Sequence, residues 1–155
     1  RQNPALKGPF AKTGGGAGMT ADDLDRIESA LALTLPPFYR RFMLAYPAWL
    51  PAKQPEWSDV ERWELANDPE RVIHFNQYVR GFGPDEFFDD AVWPPHYFVI
   101  GSEAEQNWYF LDLASGSEAV FLFHHEEGEV RREAEALVEF PAALVAWWEN
   151  VQADE

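Results

Sequence analysis

Two histidines followed by two glutamates, His124 to Glu127, are the residues in this sequence whose types and spacing best suit chemistry. Imidazole and carboxylate groups are common metal ligands. However, adjacent residues at the end of a strand point to opposite faces, so two neighbouring imidazoles rarely bind one ion. We therefore predict a polar strand end at this position and no metal site.

The other groups that could act in catalysis are scattered along the chain. His74 falls in a predicted helix and His96 follows two prolines, so we expect structural or surface roles for both. Glu103 with Asp112 is one conceivable acid–base pair, but 27 acidic residues make chance pairs common. No serine lies in a nucleophile motif, and no phosphate-binding loop or dinucleotide fingerprint occurs. We predict no catalytic residues, no cofactor and no enzymatic activity.

Composition excludes further classes of protein. The chain has 155 residues, 46% hydrophobic and 15% aromatic, which is ample for the core of a single domain. It has no cysteine, so disulfide frameworks and thiol chemistry are excluded. No apolar run approaches the roughly 18 residues of a membrane span, so we expect a soluble protein that does not bind membranes.

The charge is strongly negative and unevenly distributed. The chain has 12 basic and 27 acidic residues, for a net charge of −15. Residues 1–18 contain three of the basic residues and no acidic ones, so residues 19–155 have a net charge of −18. Nucleic-acid binding depends on Lys and Arg that displace counterions, so we predict no direct nucleic-acid binding. An acidic body favours a basic protein partner instead.

The first 18 residues differ in composition from the rest. They are basic and end in a glycine-rich run, Gly14 to Gly18, which is typical of a linker. We interpret residues 1–18 as an arm, either a tag or partner-derived peptide or a disordered native extension, and residues 19–155 as the folded domain. No secretory signal pattern is present, so we expect a cytoplasmic protein.

Local signals predict the helices that must position a functional site. Apolar spacing after Thr20, a favourable N-cap, predicts a helix over 21–33. Pro36-Pro37 suits the start of a second helix, on which one face carries Phe38, Phe42 and Ala45. Asn67-Asp68-Pro69 predicts the start of a third helix, which ends at Gly81 and buries Val72, Phe75 and Val79. Pro141 is expected to open the last helix, with Leu144, Trp147 or Trp148, and Val151 facing inward.

The remaining elements are predicted to be strands and loops. We predict strands over 60–65, His96–Ile100, Asn107–Leu113 and Ala119–His124, and either a strand or an early helix over 129–136. The stretches 47–58 and 82–95 are predicted to be irregular loops. Clustered strands with short turns predict a single α+β domain, with helices packed on an antiparallel or mixed sheet of about four to six strands.

Four segments in this order resemble the SUKH superfamily of small α+β proteins. They are Leu35-Pro36-Pro37 with the helix that follows, Trp63-Glu-Leu before the Asn67 helix, Phe98-Val-Ile-Gly101 followed by Trp108 to Leu113, and Ala119 to His124 before the final helix. The resemblance spans most of residues 19–155. The chain departs from the family at the turn after Gly101, where Asp and Gly are usual and this sequence has Ser102 to Asn107.

The resemblance implies a function by analogy. Bacterial members resemble immunity proteins that neutralise a cognate toxin domain delivered between cells, often a nuclease or another enzyme that acts in the cytosol. Other members resemble intracellular adaptors or regulatory scaffolds, and this alternative stays open. An acidic inhibitor suits a toxin that needs a basic surface to hold phosphates.

We expect the partner-binding residues in the acidic and aromatic loop and in the turn before Trp108. The aromatic members are candidate anchors, a residue type enriched in interface hot spots. The predicted residues are Asp85, Glu86, Phe87, Phe88, Asp89, Asp90, Trp93, Glu103 and Glu105.

Overall fold

The computed structural model describes residues 17–53, 63–81, 92–103 and 106–153. The first helices are α1 (Ala21–Leu31), α2 (Pro37–Leu44) and the short α3 (Leu50–Lys53), followed by strand β1 (Trp63–Leu65) and helix α4 (Pro69–Arg80). The second half contains the strands β2 (Tyr97–Glu103), β3 (Asn107–Asp112), β4 (Val120–His124) and β5 (Glu129–Ala134). A 3-10 turn (Leu137–Glu139) then leads into α5 (Phe140–Ala153).

The five strands form one antiparallel sheet in the order β1-β2-β3-β4-β5. The α+β class is therefore confirmed, and the sheet is purely antiparallel. The segment 129–136, which could have been a strand or a helix, contains strand β5. The predicted loop 47–58 contains the short helix α3, and residues 54–62 lie outside the described part of the chain.

Capping residues explain where two helices begin. The Thr20 hydroxyl accepts a hydrogen bond from the Asp23 amide, and the Asp23 carboxylate accepts one from the Thr20 amide, which is a capping box. At α4 the Asp68 carboxylate accepts from the Arg71 amide, and Pro69 occupies the first turn. Both predicted helix starts are confirmed because their signals are local.

The predicted face of α2, Phe38, Phe42 and Ala45 with Tyr39 and Tyr46 flanking, is only partly right. The structure buries Tyr39, Phe42 and Met43, whereas Phe38 is half-buried and Ala45 lies exposed beyond the helix end. The buried face is rotated by about one residue, roughly 100° around the helix axis. The cause is tertiary packing, because Tyr39 meets Phe98 of β2 edge to face, with ring centroids 5.1 Å apart.

Helix α5 also departs from its prediction. It begins at Phe140, whose ring packs against Tyr109 at 4.8 Å, and it buries Leu144 and Val145. Trp147 is 39% exposed and does not belong to the core. The side chains of Trp148 and Val151 lie outside the described residues.

The middle of the sheet is covered on both faces. Strand β2 has five consecutive buried residues and β3 has five, so neither strand alternates between buried and exposed positions. On one face, Phe75 of α4 packs against Trp108 at 5.3 Å. On the other face lie α2 and the start of α5, through Tyr39 and Phe140.

Helix α4 completes the edge of β2 through Asn76. Strand β1 pairs only with Gly101–Glu103, so it ends before reaching Val99. The Asn76 side chain, 1% exposed, accepts from the Val99 amide at 2.8 Å and donates to the Val99 carbonyl at 2.9 Å. The Asn76 side chain therefore makes the two backbone hydrogen bonds with Val99 that a residue of a neighbouring strand would otherwise make.

Two glycines are required by close approach of the backbone. A Cβ at Gly101 would lie 2.1 Å from the carbonyl oxygen of Glu64, so any larger residue would separate β1 from β2. A Cβ at Gly18 would lie 2.2 Å from the Met43 carbonyl oxygen. Composition alone presented Gly18 as part of a linker, but the structure places it against α2.

Candidate partner-binding surface

The structure describes two of the nine predicted partner-binding residues, Trp93 and Glu103. The other seven lie outside the described residues and remain a prediction: Asp85, Glu86, Phe87, Phe88, Asp89, Asp90 and Glu105.

Trp93 belongs to the core. It is 4% exposed and meets the rings of Phe110 and Phe123 edge to face at 5.5 and 5.7 Å. Its indole N–H donates to the carbonyl oxygen of Tyr97 at 3.0 Å. A side chain packed in this way offers a partner very little surface, so its role is to cover the sheet.

Glu103 lies at the end of β2 and takes part in a network that joins two turns. The Asn107 amide donates to its carboxylate at 3.4 Å. The Asn107 side-chain oxygen accepts from the backbone amide of His125 at 3.0 Å and lies 2.8 Å from His125 Nδ1. Because that oxygen can only accept, Nδ1 of His125 is the donor in this contact. The buried Asn107 therefore ties the turn after β2 to the turn after β4.

We call this region the sheet-end surface, and define it by the residues exposed or half-buried around Asn107: Glu103, His124, His125, Glu126, Glu127 and Glu129. Glu126, Glu127 and Glu129 are exposed. In the part of the chain that the structure describes, no Lys or Arg lies within ion-pair distance of these carboxylates. Only His124 approaches one of them, with Nδ1 3.8 Å from Glu127.

The two histidines do not point to opposite faces as predicted. Their rings are nearly parallel, 15° apart in plane with centroids at 6.1 Å, because His124 ends the strand and His125 already belongs to the turn. Among the described residues, no three His, Asp or Glu side chains are arranged to hold a metal ion. Glu103 and Asp112 are also apart, since Glu103 pairs with Asn107 and Asp112 with Tyr97 at the other end of the hairpin.

Several arginines of the helical side contact carboxylates. Arg26 contacts Glu70 at 3.0 Å, and Arg40 contacts Asp25 at 3.0 Å and Glu28 at 3.3 Å. These acidic residues of the helical side are thus partly neutralised, whereas the carboxylates of the sheet-end surface have no such arginine contact among the described residues.

The Glu103 carboxylate contributes to raised pKa values at two other residues, Tyr109 and Glu133. The pKa of Tyr109 is raised well above its usual value by burial, and further by the carboxylates of Glu103 and Glu133. The pKa of Glu133 is raised by burial and by Glu103, against an opposing effect of Arg131. Both shifts disfavour additional negative charge on this face of the sheet.

The exposed ring of Tyr78 lies over Trp108, near the same end of the sheet. Tyr78 of α4 is 48% exposed, and its ring lies 5.8 Å from Trp108, the residue that follows Asn107. His74 stacks on Tyr78 at 6.5 Å. Trp108 is itself buried, and its indole N–H has no hydrogen-bond partner. Sequence analysis missed Tyr78 because it lies off the apolar stripe of α4, and it missed Glu126, Glu127 and Glu129 because that turn was considered only as a metal site.

Comparison with known proteins identifies the family. The sequence matches the SMI1 / KNR4 family (SUKH-1) over residues 18–142. The chain belongs to this family. The match extends from the residue that packs against Met43 to the first turn of α5, and so includes all five strands. A search of curated proteins found no match to the chain.

The SUKH-1 match confirms the resemblance noted in the sequence and is consistent with a toxin-immunity role. The Ile100-Gly101 pair is part of that resemblance. The structure explains the glycine, because β1 lies too close to β2 at this position for a side chain on residue 101. No helix among the described residues of this SUKH-1 protein is long and apolar enough to cross a membrane.

A cavity elsewhere in this SUKH-1 protein is a weaker candidate site. It has a volume of about 490 Å³, and its walls are mainly apolar, including Leu31, Leu33, Val92 and Trp93. Among the described residues, Arg80 is its one charged lining residue, and the Arg80 guanidinium already donates to the carbonyl oxygen of Leu31 at 2.9 Å. The described part of the lining does not contain the few convergent polar groups that fix a small ligand.

Proposed function

We propose that this SUKH-1 protein is an immunity protein that binds a cognate toxin domain and neutralises it stoichiometrically. The observation that supports this proposal is the cluster of carboxylates at the sheet-end surface, none of which has a Lys or Arg within ion-pair distance among the described residues. The exposed ring of Tyr78 lies over Trp108, near the same end of the sheet. A basic toxin surface would be attracted and oriented by that field. The aromatic ring would supply the desolvated contact that holds the complex.

The proposed partner is a toxin that acts in the cytosol during competition between bacteria, such as a nuclease. A nuclease needs cationic groups to hold phosphates, so an acidic protein can cover the same groups. In this proposal Asp85, Glu86, Asp89 and Asp90, with Phe87 and Phe88, extend the surface. In the sequence they follow Gly81, which lies three residues after Tyr78. The protein acts in the cytoplasm and performs no reaction.

Co-expression of the full chain with the toxin domain encoded by the adjacent gene tests this proposal. We expect growth to be rescued and the two chains to co-purify in a 1:1 complex. Titration of the purified toxin domain should reach complete inhibition at one equivalent, because a binder acts stoichiometrically and an enzyme does not. Absence of both rescue and complex would favour the alternative, an intracellular adaptor of the same fold.

Charge reversal then tests the surface. The double substitution Glu126→Lys with Glu127→Lys should weaken the complex, since both carboxylates are exposed at the sheet end. Glu118→Lys with Glu139→Lys is the matched control, because both glutamates are exposed toward the opposite end of the sheet, before β4 and after β5. Equal affinity of the double variant and the control would place the toxin contact elsewhere.

A further inference from the structure

The outer edge of β5 is open. Strand β5 pairs with β4 along one side, and no other strand lies beyond it among the described residues. Its first four residues, Glu129–Arg132, are all exposed. An open edge presents backbone N–H and C=O groups that can pair with another strand.

The charged side chains of this edge restrict which strand can pair with it. Natural edges are blunted by short length, charged side chains, proline, inward-pointing charges, bulges or a covering segment. The charges of Glu129, Arg131 and Arg132 therefore leave the edge open only to a strand with a complementary order of charges. Strand β5 contains no proline, and its single irregularity lies at its far end, where Glu133 has no directly opposed residue on β4. The regular part, Glu129–Arg132, has the β-branched Val130 at 43% exposure between Glu129 and Arg131.

The charge order of this segment fits a second copy of itself. In an antiparallel pair related by a two-fold axis through Val130, Glu129 of each copy lies opposite Arg131 of the other, and the two valines face each other. An axis through Arg131 would oppose arginine to arginine and Glu129 to Glu133. An axis through Arg132 would oppose Arg132 to itself and bring the bulged Glu133 into the ladder. The Val130 register alone avoids like charges along the regular segment.

We propose that two copies of this protein associate through their β5 edges, in an antiparallel register centred on Val130, to form a transient dimer with one continuous sheet. The partner is a second copy because the pairing Glu129–Arg131 is complementary in both directions, as an isologous interface requires. This proposal does not depend on the proposed function.

The size and charge of the interface predict its behaviour. Pairing of a few residues buries much less than the roughly 1,000 Å² of a stable interface, so the dimer should be weak. Each chain carries a net charge of −15, so two copies repel each other at long range. Salt screens this repulsion. Association should therefore strengthen as salt is raised, which is opposite to the dependence expected for binding of a basic toxin.

Sedimentation velocity of the full chain tests the association, over protein concentrations from about 10 to about 500 µM and at ionic strengths of about 0.05 and 0.3 M. We expect a reversible monomer–dimer equilibrium, weakened by Arg131→Glu at least about tenfold and restored by the double swap Glu129→Arg with Arg131→Glu. Arg41→Glu, at an exposed position on α2, makes the same charge change away from the edge and should have no comparable effect. A chain that stays monomeric throughout, or a dimer that is indifferent to Arg131→Glu, would overturn the proposal.

A single introduced cysteine tests the register directly, because the chain has none of its own. Residues facing each other across an antiparallel pair have Cα atoms about 4.5–5.5 Å apart, within the span of a disulfide. Val130→Cys should therefore form a crosslinked dimer much faster than Arg131→Cys or Glu118→Cys under mild oxidation. Equal crosslinking rates for the three variants would show that Val130 does not lie on the axis.

Discussion

Removal of the Asn76 side chain should destabilise the folded protein strongly, although only a few atoms are lost. Its amide pairs with both backbone groups of Val99 and also donates to the Val72 carbonyl at 2.9 Å. Asn76→Ala leaves a buried N–H and a buried C=O without partners, at about 1–3 kcal/mol each. We expect the free energy of unfolding to fall by about 2–4 kcal/mol in urea titrations.

The neighbouring Gln77 provides the control for this substitution. It is exposed on the same helix, so Gln77→Ala should change stability by less than about 0.5 kcal/mol. Asn76→Asp should also be destabilising at neutral pH, because a carboxylate cannot donate to the Val99 carbonyl. Equal stability of the Asn76→Ala and Gln77→Ala proteins would contradict the role assigned to the amide.

Glu133 should make stability depend on pH. Burial and the nearby Glu103 raise the pKa of its carboxyl in the folded state. The folded state therefore holds this proton more tightly than the unfolded state, so the contribution of Glu133 to stability falls as pH rises from its unfolded pKa through its folded pKa. Glu133→Gln should have a higher Tm than the parent at pH 7, and the gain should shrink as the pH is lowered toward 4.

Glu118→Gln is the charge-matched control in the same thermal scans. It removes one negative charge from an exposed position, and so reports the general relief of repulsion in an acidic protein. A gain at pH 7 that is no larger for Glu133→Gln than for Glu118→Gln would mean that the partial burial of Glu133 has no consequence for stability.

Among the elements, β1 and α4 should behave as a coupled unit. Arg71 of α4 contacts the Glu64 carboxylate through both Nε, at 2.8 Å, and Nη2. Both side chains are largely shielded, and the Arg71 guanidinium also lies over the ring of Phe75 at 4.7 Å. Arg71→Ala removes both of these contacts from a shielded carboxylate, so we expect a loss of about 3 kcal/mol in the free energy of unfolding.

A double-mutant cycle separates this coupling from lost packing. Arg71→Ala combined with Glu64→Ala should cost clearly less than the sum of the two single changes, because each single change already removes the contact between the two side chains. The exposed pair Arg132–Glu135, at 2.9 Å, is the comparison and should couple by less than about 1 kcal/mol. Additive losses for Arg71 and Glu64 would show that the pair does not join the two elements.

The sequence predicted elements best where their signals are local. Thr20 and Asp68-Pro69 cap their own helices, and both starts were predicted correctly. The face of α2 was predicted only in part, because burial of Tyr39 depends on Phe98, which is distant in the chain. The same limit applies to Trp147, since apolar character alone does not determine whether a helix end lies against the sheet.

Prediction of the candidate surface was limited by the same non-local contacts. Glu103 was predicted to be a partner-binding residue because of its position before Trp108. Its link to His125 through Asn107 could not be predicted without knowing that β3 pairs with β4. Tyr78 lies near this end of the sheet only because α4 packs over Trp108, which is distant from it in the chain. A pattern of charges along the chain contains no information about either contact.

For the whole molecule, charge and aromatic contact should affect partner binding through different rate constants. Long-range attraction to the acidic body accelerates encounter, so the association rate constant of the toxin complex should fall as salt rises. Reversal of Glu126 and Glu127 should lower that rate constant and flatten its salt dependence. Dissociation should change little, because exposed charges at a rim contribute mainly to encounter.

Tyr78→Ala should have the opposite kinetic signature. Loss of a desolvated aromatic contact raises the dissociation rate constant, by about tenfold or more for a hot spot, and leaves the salt dependence of association unchanged. Trp49→Ala is the matched control, because Trp49 is also an aromatic residue with 48% exposure and follows α2 rather than lying beside the sheet end. Surface plasmon resonance with the wild-type complex and both variants separates these outcomes. Faster dissociation of Trp49→Ala than of Tyr78→Ala would move the contact from the sheet-end surface to the helical side of the molecule.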